Sequence, residues 1–243
     1  MFDKLPQKEQ ISTFEKLSHL FSDYLSNISK KDNSIFIKDE WINNINSLKN
    51  QMLPIPNINF LNLTEIRGTM FVAGDDILLS KELNEVESFF KKEELMQILL
   101  ESNIGNPELC HTINDYKTSH NCIHHLYHLT RYLKSTNLSN LNSINNIIEW
   151  GGGYGNMTKL ILSINPNINS YTIIDLPFFT SLQWIYLSSI FGESKINLVT
   201  EDNMTIKDGC INLVSIDFVN DIIFKSNALF ISTSALSKST LTA

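Results

Sequence analysis

With 243 residues, 42% of them hydrophobic, the chain has the length for one or two domains and a sizeable core. A net charge of -7 without a basic stripe argues against a nucleic-acid-binding surface, and the absence of any apolar run of about 18 residues argues against a membrane span. No basic-then-apolar leader opens the sequence, and the cysteines (Cys110, Cys122 and Cys210) are few and odd in number, which predicts reduced thiols in a cytoplasmic protein.

Taken in chain order, Gln7 to Ile28 carries Ile11, Phe14, Leu17, Leu20, Phe21, Tyr24, Leu25 and Ile28 at helical intervals, so one amphipathic helix is expected. A polar break over 30–34 precedes a shorter helix containing Trp41, Ile42, Ile45 and Leu48. Pro54 and Pro56 should end it and start an extended passage through Phe60. Leu83 to Leu100 reads as a further helix, with Val86, Phe89, Phe90, Leu95, Ile98 and Leu99 as its apolar set. Residues 1–140 are therefore expected to be a mainly helical cap or substrate region, placed before a nucleotide-type fold over 141–243.

Five of the six histidines lie between His111 and His128. At about 100° per residue, Cys122, Ile123, Leu126, Leu129, Thr130 and Leu133 share one arc of a helix, and His120, His124, Tyr127, His128 and Arg131 share the opposite one. Most polar helix faces are merely solvated or bonded to neighbours. His124 and His128 stand one turn apart, as metal ligands could, but no His-Glu-x-x-His or Cys-x-x-Cys pattern accompanies them, so no metal is expected. The sharper expectation is a wall of a polar cleft. There His124 or His128, titrating near neutral pH, takes the proton from a substrate hydroxyl.

From Ile147 to Pro177 the pattern is strand, glycine turn, helix, strand with a terminal acid. That is half of a crevice in which a ligand sits beyond the carboxyl ends of parallel strands. Gly151, Gly153 and Gly155 leave no side chain where a ligand meets the backbone. A dinucleotide fingerprint would need a third glycine at Asn156, which disfavours a nicotinamide cofactor. Pro177 should open a helix, Phe178 to Phe191, so apolar around its girth that it must be buried on more than one side, with Gly192 as its C-cap. Strands are then expected at Ile196–Val199, Ile211–Ile216 and Ala228–Thr233.

The run Glu149-x-Gly-x-Gly-x-Gly resembles motif I of class I S-adenosylmethionine (SAM) methyltransferases. That resemblance implies a Rossmann-like α/β sheet and SAM as cofactor. Glu149 would lie near the methionine ammonium, Gly151, Gly153, Tyr154 and Gly155 against the methionyl and ribose portion, and Asp175 with Leu176 at the ribose hydroxyls. A carboxylate suits that last role because it accepts two hydroxyl hydrogen bonds at once. With Pro166, Asp175-Leu176-Pro177 and Asp217-Phe218 added, the chain is similar to small-molecule O-methyltransferases, in which Asp217 would be the adenine-side acid.

Over residues 55–238 the likeness is to bacterial sugar O-methyltransferases. It rests on Thr69-Met70-Phe71-Val72, on Ser119-His120-Asn121-Cys122-Ile123-His124-His125-Leu126-Tyr127-His128, on Tyr186-Leu187-Ser188 and on Leu229-Phe230-Ile231-Ser232-Thr233. The implied activity is methyl transfer to a hydroxyl of a sugar, glycan or similar small molecule. Two departures stand out: Lys238 where an acid is expected, and about four core strands where the family sheet has seven in the order 3-2-1-4-5-7-6. The base must then come from the His120–His128 helix or a partner chain. The alternative is a truncated SAM- or S-adenosylhomocysteine-binding remnant without turnover. In either case strand 228–233 is expected at a sheet edge, open to association with another copy. Either the N-terminal helices cover the face left bare by the missing strands and helices, or apolar surface stays exposed.

Overall fold

The computed structural model describes residues 1–28, 39–71, 75–111, 115–233 and 235, without the side chains of 39 and 40; the polar break at 30–34 and the positions around Lys238 lie outside them. Among the described residues seven α-helices come first: α1 (Gln7–Ser18), α2 (Phe21–Ile28), α3 (Asp39–Met52), α4 (Thr64–Met70), α5 (Asp76–Glu87), α6 (Lys92–Ile98) and α7 (His120–Ser135). Then β1 (Asn146–Trp150), α8 (Asn156–Ile164), β2 (Ser170–Asp175), α9 (Pro177–Phe191), β3 (Ile196–Leu198), β4 (Cys210–Ser215) and β5 (Ala228–Ile231) complete an α/β arrangement. The five strands are all parallel, in the order β3-β4-β2-β1-β5, consistent with a Rossmann-like fold. The strand expected at Ile196–Val199 forms over Ile196–Leu198, a short edge strand beside β4, so the sheet has five strands rather than about four.

Because successive strands lie on both sides of β1, the chain changes direction there. Such a switch point opens a crevice at the carboxyl ends of the strands. One face of the sheet presents Ile147, Tyr171, Ile173, Ile211 and Leu213 to α8 and α9. Every residue of α9 from Phe178 to Phe191 is buried, as its apolar girth requires, since α1 and α2 pack on its far side. Tyr24 stacks on Trp184 with ring centroids 3.8 Å apart, and Phe21 meets Phe178 edge to face at 6.2 Å. The helical N-terminal region and the sheet thus share a single apolar cluster running from Phe2 to Leu213.

The other face is covered by the turn after β4 and the segment before it, through Ile174, Val199, Ile206, Val214, Phe218 and Ile222. Among the described residues that cover stops short of β5. Phe230, paired in register with Ile148, is 52% exposed and Ile223 is 91% exposed. The N-terminal helices thicken the face already covered, and apolar surface remains on the opposite side at the β5 edge. Parallel sheets are usually covered on both faces. Among the described residues no helix is long and apolar enough to cross a membrane.

Three local expectations are corrected. The helix expected over 7–28 is two, broken at His19–Leu20; the apolar spacing reads through the break because Leu17, Phe21 and Leu25 are buried on both sides of it. The extended passage after Pro56 is instead a 3-10 turn (Phe60–Asn62) leading into α4. The helix expected over 83–100 starts earlier and is interrupted. Asp75 caps α5 by accepting from the Leu78 N–H, and Ser88 to Lys91 separate it from α6, where the Glu94 carboxylate accepts from the Lys91 N–H.

Candidate functional site

A crevice of about 130 Å³ lies at the carboxyl ends of β1, β2 and β5. By that measure one water needs roughly 10–15 Å³, so this is ligand-sized space rather than a packing void. Glu149 to Tyr154 form its floor. Asp175, Leu176 and Phe179 form one side, Trp41, Thr69, Met70 and His125 come from the helical region, and Thr233 and Ala235 follow β5.

The glycine turn is shaped by two constraints. Gly151 has φ +72, and a Cβ on it would stand 2.1 Å from that of Ala235, where the chain after β5 crosses over. Gly155 has φ +96 and abuts the Leu187 side chain, so it starts α8 by packing rather than by lining the crevice.

Asp175 ends β2 with its carboxyl turned towards the turn. Oδ2 accepts from the Gly153 N–H at 3.1 Å and from Gln183 Nε2 at 2.8 Å, and Oδ1 accepts from the Leu176 N–H at 2.8 Å. Burial pushes its pKa up to about 7, against the opposing pull of those donors. Glu149 is more deeply set, accepting at Oε2 from the Tyr171 hydroxyl at 2.8 Å and from Thr158 Oγ1 at 3.0 Å. Burial raises its pKa to about 7 as well. The crevice therefore holds two carboxyl groups, and its described lining includes no lysine or arginine.

Of the cofactor residues the resemblance implied, Glu149, Gly151, Gly153, Tyr154, Asp175 and Leu176 line this space together; Gly155 and Asp217 do not. Asp217 lies in the turn after β4, its backbone N–H donating to Ser215 Oγ, and Ile216, which begins that turn, reaches the crevice instead. Tyr154 turns its ring into the core, where its hydroxyl accepts from Asn121 Nδ2 at 3.0 Å and Phe71 stacks on it at 5.6 Å.

The expected base is where the structure departs most from the sequence reading. His124 and His128 do not line the crevice. The polar arc of α7 packs on α5, where the buried carboxylate of Glu82 meets His124 Nδ1 at 2.7 Å and lies 3.7 Å from His120 Nε2. His124 Nε2 in turn stands 3.1 Å from His128 Nε2. The arc is thus an interhelical contact, chosen by a glutamate forty-two positions away. The histidine that reaches the crevice is His125, which lies one turn from Cys122 and from Leu129 and so belongs with the apolar arc. A lone histidine among residues bound for the core was the available signal.

Beneath α8 lies a buried polar cluster that sequence reasoning missed. Lys159 Nζ pairs with Glu101 Oε2 at 2.5 Å, and Glu101 Oε1 accepts from Ser119 Oγ and Cys122 Sγ. It ties α8 to α7 and to the loop carrying Glu101. Cys110, Cys122 and Cys210 are all free thiols. Comparison with protein-family models, with curated proteins and with solved structures finds no match to this chain.

Proposed function

We propose that the crevice holds S-adenosylmethionine and that the chain serves methyl transfer to a hydroxyl of a sugar or sugar-like small molecule. The observation that carries this reading is the Asp175 carboxyl, held by the Gly153 N–H at the end of β2 and facing the glycine turn. A carboxylate there can accept from both hydroxyls of a ribose. The charge balance favours the same ligand. Two carboxyls without a lysine or arginine among the described lining residues suit a cationic sulfonium nucleoside, whereas a pyrophosphate would meet repulsion. Asn156, in place of a third fingerprint glycine, points away from nicotinamide cofactors too.

In this assignment Glu149 takes the ammonium of the methionine part and Asp175 the ribose hydroxyls, and Gly151 to Gly153 let the ligand approach the backbone. The cofactor supplies an activated methyl group, so the protein's part is to exclude water and align the acceptor hydroxyl for in-line attack. A second reading, binding without turnover, is favoured by the position of His124 and His128 outside the crevice.

Calorimetric titration with S-adenosylhomocysteine, NAD and NADP tests the cofactor. Binding of the first alone is expected, and binding of a nicotinamide nucleotide in its place overturns the reading. Transfer of a labelled methyl group to a panel of sugars, measured on the same preparation, then separates turnover from binding without it.

A further inference from the structure

We propose that His125 presents Nε2–H as a fixed hydrogen-bond donor at the crevice wall, and that this donor receives the carboxylate of the amino-acid part of the bound nucleoside. The inference rests on the nucleoside reading above and deepens it. It begins at Asn156, fully buried at the start of α8. One face of its amide lies 3.3 Å from the Asn121 carbonyl oxygen, which can only accept, so that face must be Nδ2. On the other side Oδ1 lies 3.3 Å from Cys122 Sγ, whose proton goes to the nearer Glu101. With the amide orientation set in this way, the second Nδ2 proton points at His125 Nδ1, 3.0 Å away.

His125 Nδ1 is therefore an acceptor, and in a neutral imidazole the proton must sit on Nε2. Burial in a desolvated position, with His124, His128 and Lys159 nearby, lowers the pKa of His125 to about 3 and keeps it neutral at working pH. Among the described residues Nε2 makes no hydrogen bond, and the ring lines the crevice.

The ligand supplies the need for such a donor. If Glu149 takes the ammonium of the methionine part, the carboxylate on the same carbon must lie close by. It sits in a crevice that already holds two carboxyls and, among its described residues, no lysine or arginine. Thr69, on the same wall, has its hydroxyl proton committed to the Glu65 carbonyl. A neutral N–H held in one orientation answers the carboxylate without bringing a second charge into the pocket. His125 is thereby a positioning group and not the proton acceptor a crevice histidine would first suggest.

The test titrates S-adenosylhomocysteine and 5′-methylthioadenosine, which lacks the amino-acid part, into wild type and His125→Phe. Loss of one hydrogen bond to a carboxylate should weaken S-adenosylhomocysteine about tenfold and leave 5′-methylthioadenosine unchanged. Equal weakening of both ligands, or of neither, overturns the inference while the nucleoside reading stands. If neither ligand binds the wild type, the nucleoside reading itself fails and takes this one with it. Should the phenylalanine variant not fold, imidazole 15N shifts of the full-length wild type decide alone. The Nε2–H tautomer is expected for His125, and the Nδ1–H tautomer or an imidazolium at pH 7 overturns the proposal.

Discussion

Two carboxyl groups with pKa values near 7 make the crevice sensitive to pH, and the two predict different things. Asp175 must be ionised to accept from both hydroxyls of a ribose, yet burial holds its pKa at about 7. Affinity for S-adenosylhomocysteine should hold above that value and fall as pH drops through it, by up to about tenfold per unit. Calorimetry between pH 5.5 and 8.5 reads this directly, and Asp175→Asn should lose both the affinity and its pH dependence. Glu149, besides its part in the crevice, acts measurably on stability. Its folded pKa, about 7, lies above the ordinary carboxyl value, so the folded chain binds the extra proton and that stabilisation fades as pH rises through 7. Glu149→Gln keeps acceptors for Thr158 and Tyr171 without the buried charge. It should raise stability at pH 8 by up to about 3 kcal/mol and change it little at pH 4, as urea melts would show. The residue identities were legible beforehand: an acid at each strand end and alternate glycines between them. That Tyr154 would bury its ring and that Gly155 would pack on Leu187 was not, because both outcomes depend on α7 and α9.

At the scale of the element, the decisive partnership is α8 with α7. Amphipathic periodicity located α7, since Cys122, Ile123, Leu126, Leu129 and Leu133 are buried as their spacing implied, and the strand–turn–helix pattern located α8. It could not say what the polar arc would face. Glu82 on α5 claimed His120 and His124, and a carboxylate so far away in the chain leaves no trace in a helical window. The same holds for Lys159 and Glu101, each buried, which join α8 to the loop before α7. Removing one member strands the other charge in a dry interior, so Glu101→Gln should cost about 3–5 kcal/mol by chemical denaturation. Glu101→Gln combined with Lys159→Met should recover part of that loss, because no uncompensated charge then remains.

For the whole molecule, the shared apolar cluster sets how the chain unfolds. Phe14, Leu17 and Phe21 from the first two helices pack into one core with Phe178, Ile185 and the strands. One cooperative transition is therefore expected in urea, with far-ultraviolet circular dichroism and the fluorescence of Trp41, Trp150 and Trp184 superimposable. Two separated transitions would mean that residues 1–140 hold together independently. The exposed patch at the β5 edge is expected to tolerate change: Phe230→Lys should cost under about 0.5 kcal/mol, because the residue is already half exposed. By itself the sequence determined the α/β class, the positions of the strands and of α7 to α9, and the glycine turn with its two acids. These are local matters of period, turn chemistry and residue type. Tertiary structure alone decided which histidine meets the crevice, which layer the N-terminal helices join and where on the sheet Phe230 stays exposed. Each of those is a contact between segments far apart in the chain, set by which buried partner satisfies which polar or apolar surface.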